Sequence, residues 1–203
     1  MTMRFLKLIT FSLLLKGTLL NGCSENLEER KKNDERNKAT VIKAYLDKPQ
    51  IFSDLSYYFK FNHIVSISFG NDSLIKISYT SGNFFKKTEV EEITAPENSE
   101  KIIRILQMDG FDYLDLKKLK FYLSEINCTT IGLITNHDNV RGRYTKELLL
   151  ILPKFNNLLP VYYYRIYQQS LDSAAVDLNF LINNNKDGGK LSDHVIWYYK
   201  WKL

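Results

Sequence analysis

Cys128 and His137 are the one nucleophile and base that this sequence could bring together. Cys128 stands just ahead of an apolar run and His137 sits in a turn. A hairpin between them would set an imidazole beside a thiol, the pairing that cysteine hydrolases use. The competing role for Cys128 is a small apolar side chain packed between a helix and a strand, and that role is the one expected. His63, His137 and His194 are widely spaced and show no ligand periodicity, so no metal site and no cofactor are expected. Arg141-Gly142-Arg143 beside Asp138 makes a compact polar knot at a turn. Arginine captures carboxylate or phosphate through paired hydrogen bonds, although two solvated arginines flanking a hairpin would read the same way. Asp112 and Asp115 could pose as paired carboxylates, but a helix N-cap at Asp115 accounts for them more simply. Neither His-Glu-x-x-His, Gly-x-Ser-x-Gly, Cys-x-x-Cys nor a phosphate-cradling glycine loop occurs.

The aromatics are the most unusual feature. They cluster as Tyr57-Tyr58-Phe59, as Tyr162-Tyr163-Tyr164 with Tyr167, and as Trp197-Tyr198-Tyr199 with Trp201. Neighbours in a strand face opposite sides, so one core cannot take them all. Tyr163 and Tyr198 are therefore candidates for an exposed aromatic face, which would bind a protein or stack on a sugar. The alternative is a sheet covered on both faces. Both stay open at this point.

Elements must position these groups. Val65–Phe69 and Ile75–Tyr79 alternate as half-wet strands around the turn at Gly70-Asn71-Asp72, and Phe84–Ile93 follows as a third. The period then becomes helical: Ile102, Ile103 and Leu106, with Ser99 near the start and Gly110 as the stop. A second helix aligns Leu116, Leu119, Leu123 and Ile126, ends at Asn127, and turns Lys117, Lys118 and Lys120 outward. Thr129–Thr135, a turn at Asn136–Asn139, Arg143–Leu152 and Val161–Tyr167 restore strands. Leu171–Ile182 reads as a helix, Asn183–Lys190 as an exposed loop, and His194–Leu203 as a final strand. Strands, then helices, then strands argue for α+β: an antiparallel sheet of about six to seven strands with two or three helices packed on it. No linker or repeat divides residues 41–203, so they read as a single domain.

The amino terminus reads as an address. Arg4 and Lys7 precede the apolar run Leu8–Leu15, and Leu19-Leu20-Asn21-Gly22-Cys23 follows. Leu20-Asn21-Gly22-Cys23 resembles the lipobox of bacterial lipoproteins. Asn21 departs from the smaller residue usual there, and Lys16 interrupts the apolar region. The resemblance implies diacylglycerol on the Cys23 sulfur, cleavage before it and an acylated amine, with residues 1–22 removed. Cys128 would then be the lone thiol of the mature chain. Residues 24–40 hold five acids and five bases and no aromatic, which suits a solvated tether. Ser24 after the cysteine does not resemble the inner-membrane retention signal, so the outer membrane is the expected destination. Asp72-Ser73-Leu74 and Asp172-Ser173-Ala174 resemble the O-glycosylation site of Bacteroidota extracytoplasmic proteins.

Processing alters the charge argument. Residues 1–22 carry Arg4, Lys7 and Lys16 and no acid, so 28 bases against 23 acids become 25 against 23, and +5 becomes +2 over 181 residues. Nucleic acid is therefore not an expected partner. Hydrophobic residues at 44% and aromatics at 13% exclude disorder throughout, and two cysteines exclude a disulfide scaffold. The expected function is a lipid-anchored cell-envelope domain that binds another protein without catalysis. A glycan-binding lipoprotein and a Cys128/His137 hydrolase are the alternatives.

Overall fold

A computed structural model of the chain describes residues 28–29, 31–70, 73–81, 89–138, 143–152, 161–171 and 188–200. Two units separate, Met1–Thr40 and Val41–Leu203. In the first, residues 31–40 are helical, and Asp34 and Lys38 form an i,i+4 ion pair at 2.9 Å in the favourable order.

The second unit is α+β. Helical residues 41–47 (α1) lead to α2 (Pro49–Leu55), which opens on a proline at its first turn, where the missing N–H costs nothing. A 3-10 turn follows at Ser56–Lys60. Then come β1 (Ile64–Phe69), β2 (Leu74–Ser81), β3 (Glu89–Pro96), α3 (Glu100–Met108) and α4 (Tyr113–Glu125). The chain closes with β4 (Thr130–Asp138), β5 (Arg143–Ile151), β6 (Val161–Tyr167), β7 (Gly188–Lys190) and β8 (Val195–Lys200). The sheet runs β3-β2-β1-β4-β5-β6-β8-β7 and every pair is antiparallel. The chain thus builds a three-stranded meander, inserts α3 and α4, and returns to the open side of β1.

Pairing carries one apolar row across the sheet: Ile77, Ile67, Ile131, Leu150, Tyr164 and Trp197 are successive partners. This row joins the main core with Phe52, Leu55, Ile102, Leu106, Leu116, Leu119 and Leu123 from the helices. Tyr164 fixes the packing angle as well as filling space. Its ring meets Phe52 edge-on at 4.9 Å, and its hydroxyl donates to the Val41 carbonyl at 2.6 Å.

The two inserted helices end alike. In α3 the Phe111 N–H donates to Leu106 O and the Gly110 N–H to Gln107 O; in α4 the Cys128 N–H donates to Leu123 O and the Asn127 N–H to Ser124 O. These are paired Schellman closures, and each needs a left-handed residue at its centre. Gly110 (φ 75) and Asn127 (φ 54) supply it. Cys128 is thereby placed against Leu123 as the apolar closure of a helix end.

Several expectations need correction. Among the described residues the sheet has eight strands, and four helices rather than two or three accompany it. The added strand is β7, cut from the expected loop Asn183–Lys190. A Cβ on Gly188 would lie 2.8 Å from the Trp197 carbonyl, and one on Gly189 would lie 3.0 Å from the indole nitrogen. The glycines here mark a close strand approach rather than a turn. The N-cap of α4 is Asp112, not Asp115. Asp112 accepts from the Asp115 N–H at 2.9 Å, and Asp115 reaches back to the Asp112 N–H at 3.1 Å, a capping box. Where a turn is expected at Asn136–Asn139, residues 136–138 are instead strand, because β4 continues to Asp138. The third strand is Glu89–Pro96, and residues 82–88 lie outside the described residues. Of the helix expected at Leu171–Ile182, only Leu171 is described, in a turn.

Asp109, the C-cap of α3, ties the insertion to the sheet. Its carboxylate is fully buried and accepts from the N–H groups of Asn62, His63 and Ile64 at 2.9–3.0 Å. It also accepts from His63 Nδ1 at 2.7 Å, so that nitrogen carries the proton. Burial alone would raise this carboxyl; the hydrogen bonds from Ile64, His63 and Asn62 outweigh it and hold the group below the usual carboxylate range. Asp109→Asn turns an acceptor towards these donors into a donor, and the expected loss is about 3 kcal/mol in urea unfolding at neutral pH. A lowered folded-state pKa contributes stability above the unfolded value and loses it as pH falls through the folded value. The gap between wild type and variant should therefore narrow on acidification below about pH 4. A gap that stays constant to pH 2 would refute the ionic role.

Candidate functional site

On the sheet face opposite the main core, β5, β6 and β8 carry a different row. Glu147 pairs with Tyr167, Arg165 with Ile196, and Tyr163 with Tyr198. Glu147 is 2% exposed. Arg165 reaches it diagonally across the pair, with a guanidinium nitrogen 3.1 Å from the carboxylate. The same guanidinium donates through Nε to the Tyr198 hydroxyl at 3.1 Å and lies 5.0 Å from the centre of that ring. Tyr198 in turn stacks on Tyr163, with ring centres 5.1 Å apart and planes 12° from parallel. Tyr167, Leu171 and Ile196 form a second, smaller core on this side.

The electrostatics follow from enclosure. Burial opposes the charge on Arg165, yet Glu147 and the Tyr198 hydroxyl raise its pKa further, so it stays a cation. Tyr167 is pushed up to about 12 by burial and then by the charge of Glu147. Tyr198 and Tyr163 also move up, burial being the largest cause in each. None of these phenols is prepared to act as a base at neutral pH.

Tyr198 is thus not part of an exposed aromatic face. It is buried among Tyr163, Arg165 and the glycines of β7, because at β8 both faces of the sheet are covered: Val195, Ile196, Trp197, Tyr198 and Tyr199 are all buried. Tyr163 is half-buried, with one ring face spent on Tyr198.

An open cavity lies elsewhere, at the end of β6. It measures about 570 Å³, and Tyr45, Phe52, Phe59 and Tyr167 line it together with Lys60, Gln168 and His194. The 3-10 turn contributes Phe59 and Lys60, while α2 contributes Phe52. His194 Nδ1 lies 3.1 Å from the Tyr167 carbonyl, which can only accept, so the proton sits on Nδ1 and a neutral ring keeps Nε2 as an acceptor. Aromatic walls with a few hydroxyl, amide and imidazole groups suit a small ligand with an apolar face and a polar edge. Sequence reasoning passed over Tyr45, Phe52, Lys60, Gln168 and His194 in this role. The Tyr57-Tyr58-Phe59 run was the available signal, but no spacing rule joins it to residues more than a hundred positions away.

Cys128 is 5% exposed, and burial pushes its thiol up, away from thiolate. His137 pairs in register with Tyr144 in the β4–β5 ladder, and its side chain lies outside the described residues. Arg143 pairs with Asp138 along the same ladder. Arg141, Cys23, Asp72 and the segment 172–174 lie outside the described residues. Among the described residues, no group of three or more His, Cys, Asp or Glu could hold a metal, and no helix is long and apolar enough to cross a membrane. The chain matches no family model, no curated protein and no solved structure.

Cys128 in the native protein should react slowly with a thiol reagent and freely once denatured, and Cys128→Ala should cost about 1 kcal/mol; rapid native labelling at neutral pH would restore a nucleophilic reading. Arg165→Met should cost about 3–5 kcal/mol by removing the guanidinium that faces the buried Glu147 carboxylate. Adding Glu147→Leu should recover most of that loss in thermal unfolding. A double variant as unstable as the single would show that the pair is not one electrostatic unit.

Proposed function

We propose that the protein is a lipid-anchored component of the bacterial cell envelope, most simply at the outer membrane, whose folded unit binds another protein without catalysing a reaction. The observation that carries the reading is Leu20-Asn21-Gly22-Cys23 between an apolar run and a charged tract. Several acyl chains on one cysteine make attachment effectively permanent, since each buried CH₂ contributes about 0.8 kcal/mol. The burial of Cys128 favours binding over cysteine-based hydrolysis, because a protonated thiol closed off by a helix end is a poor nucleophile.

A second reading, glycan binding, is favoured by one feature: the cavity at the end of β6, where aromatic walls meet Ser53, Ser56 and Gln168. Sugars offer apolar faces for stacking and hydroxyls for such groups. This moves the glycan hypothesis away from Tyr163 and Tyr198. Saturable binding of soluble oligosaccharides, lost in Gln168→Ala and Tyr45→Ala, would favour it over the protein-binding reading. A partner recovered by cross-linking in solubilised envelopes, and unaffected by those two changes, would favour the first.

Cys23→Ser should abolish incorporation of labelled fatty acid and leave the chain as unprocessed precursor or release it from membranes. Normal labelling of that variant would refute the anchor.

A further inference from the structure

Helix α4 is apolar on two opposite sides. Leu116, Leu119 and Leu123 are buried in the core. Leu114 and Phe121 are 62% and 57% exposed. At about 100° per residue, Phe121 returns to within about 20° of Leu114 around the helix, while the core leucines lie about 140–200° away. Lys117 and Lys118 sit between the two exposed residues and are exposed themselves. The acids of the helix are engaged elsewhere: Asp115 in the capping box, Glu125 with Lys48 at 2.7 Å. The outer stripe is therefore apolar and positive. Tyr57, 41% exposed, continues it across a hollow that it lines with Lys118, and Lys60 rests 4.3 Å from the Tyr57 ring centre. The one carboxylate in that hollow besides Asp115 is Asp54, which accepts from Gln50 at 2.8 Å.

We propose that this face of α4 docks on a layer of anionic phospholipid headgroups, with Leu114 and Phe121 entering the acyl boundary and Lys117 and Lys118 meeting the phosphates. Apolar residues flanked by lysines on one exposed helix face are the pattern of an interfacial helix, and each lysine near an anionic surface adds attraction. The proposal rests on the lipid-anchored reading for its strength. Two apolar side chains and two lysines bind a membrane weakly from free solution. A tethered domain meets the surface at high effective concentration, so a weak contact suffices.

The test uses the chain from residue 23 onward in two forms. As the Cys23→Ser protein, lacking residues 1–22 and acyl chains, it should partition onto vesicles of phosphatidylcholine with phosphatidylglycerol and not onto phosphatidylcholine alone. Lys117→Ala with Lys118→Ala should lower that partition coefficient by about thirtyfold, and Leu114→Ser with Phe121→Ser should lower it comparably, with unchanged near-ultraviolet circular dichroism. As the lipidated protein in the same vesicles, a fluorophore on Ser124→Cys should be quenched by acyl-brominated lipid. If Cys23 proves unacylated, the first form still decides the docking. Equal partitioning of all variants, or an unquenched probe on vesicle-bound lipidated protein, would overturn it. So would a protein cross-linked to position 124 in intact envelopes while the probe stays unquenched.

Discussion

Four donors converge on the Asp109 carboxylate, and the three backbone ones belong to consecutive residues, Asn62 to Ile64. Apolar contacts between a helix and a sheet are non-directional; they favour burial without fixing register. A buried carboxylate with defined donors does fix it. The residues it holds lead directly into β1, the strand that joins the first meander to β4 and the rest of the sheet. The residue after Asp109 begins the turn into α4 through Gly110. Position is therefore passed from one side chain to both halves of the sheet and to the helix pair that covers it. The aromatic group around the turn completes the joint: Tyr58 stacks on Phe111 at 5.6 Å and donates its hydroxyl to the Asp115 carbonyl at 2.8 Å.

The opposite face of the sheet obeys a different rule. Over β5, β6 and β8 it encloses a Glu147–Arg165 pair among tyrosines. Replacing such a pair by apolar residues is often neutral or stabilising, so its contribution to stability is not the reason to expect it. Its geometry specifies which tyrosine sits where, since the guanidinium engages both the carboxylate and the Tyr198 hydroxyl. Towards β1, β2 and β4 the same face changes to Ser66, Ser68, Ser78, Thr130 and Gly132, small groups around a hollow of about 390 Å³.

What could be read in advance was local. Alternation in Ile75–Tyr79 and the helical spacing of Leu116, Leu119 and Leu123 each state a period that burial then uses. Gly110 and Asn127 were legible as helix ends because left-handed backbone has few occupants. The misreadings arose where a residue has two jobs. Asp115 can begin a helix or close a capping box three positions in, and its type alone does not say which. Gly188 and Gly189 mark turns in most chains, and only the indole of Trp197 makes them a strand. Tyr198 belongs to an alternating strand, and alternation assigns it a side without saying whether that side is wet. The cavity at β6 was invisible for a stronger reason: its walls come from residues 45–60 and 166–195, which only the tertiary fold brings together.

An open sheet must also stop growing. Of the described strands, β3 and β7 are the outermost. The exposed half of β3 is Glu89-Val90-Glu91-Glu92, and a second copy laid against it would face carboxylates with carboxylates. At the other margin β7 offers three residues, two of them glycine, too little ladder to template another chain. The same residues that end the sheet thus guard the molecule against joining its neighbours edge to edge into fibres, a hazard that rises wherever many copies are crowded together.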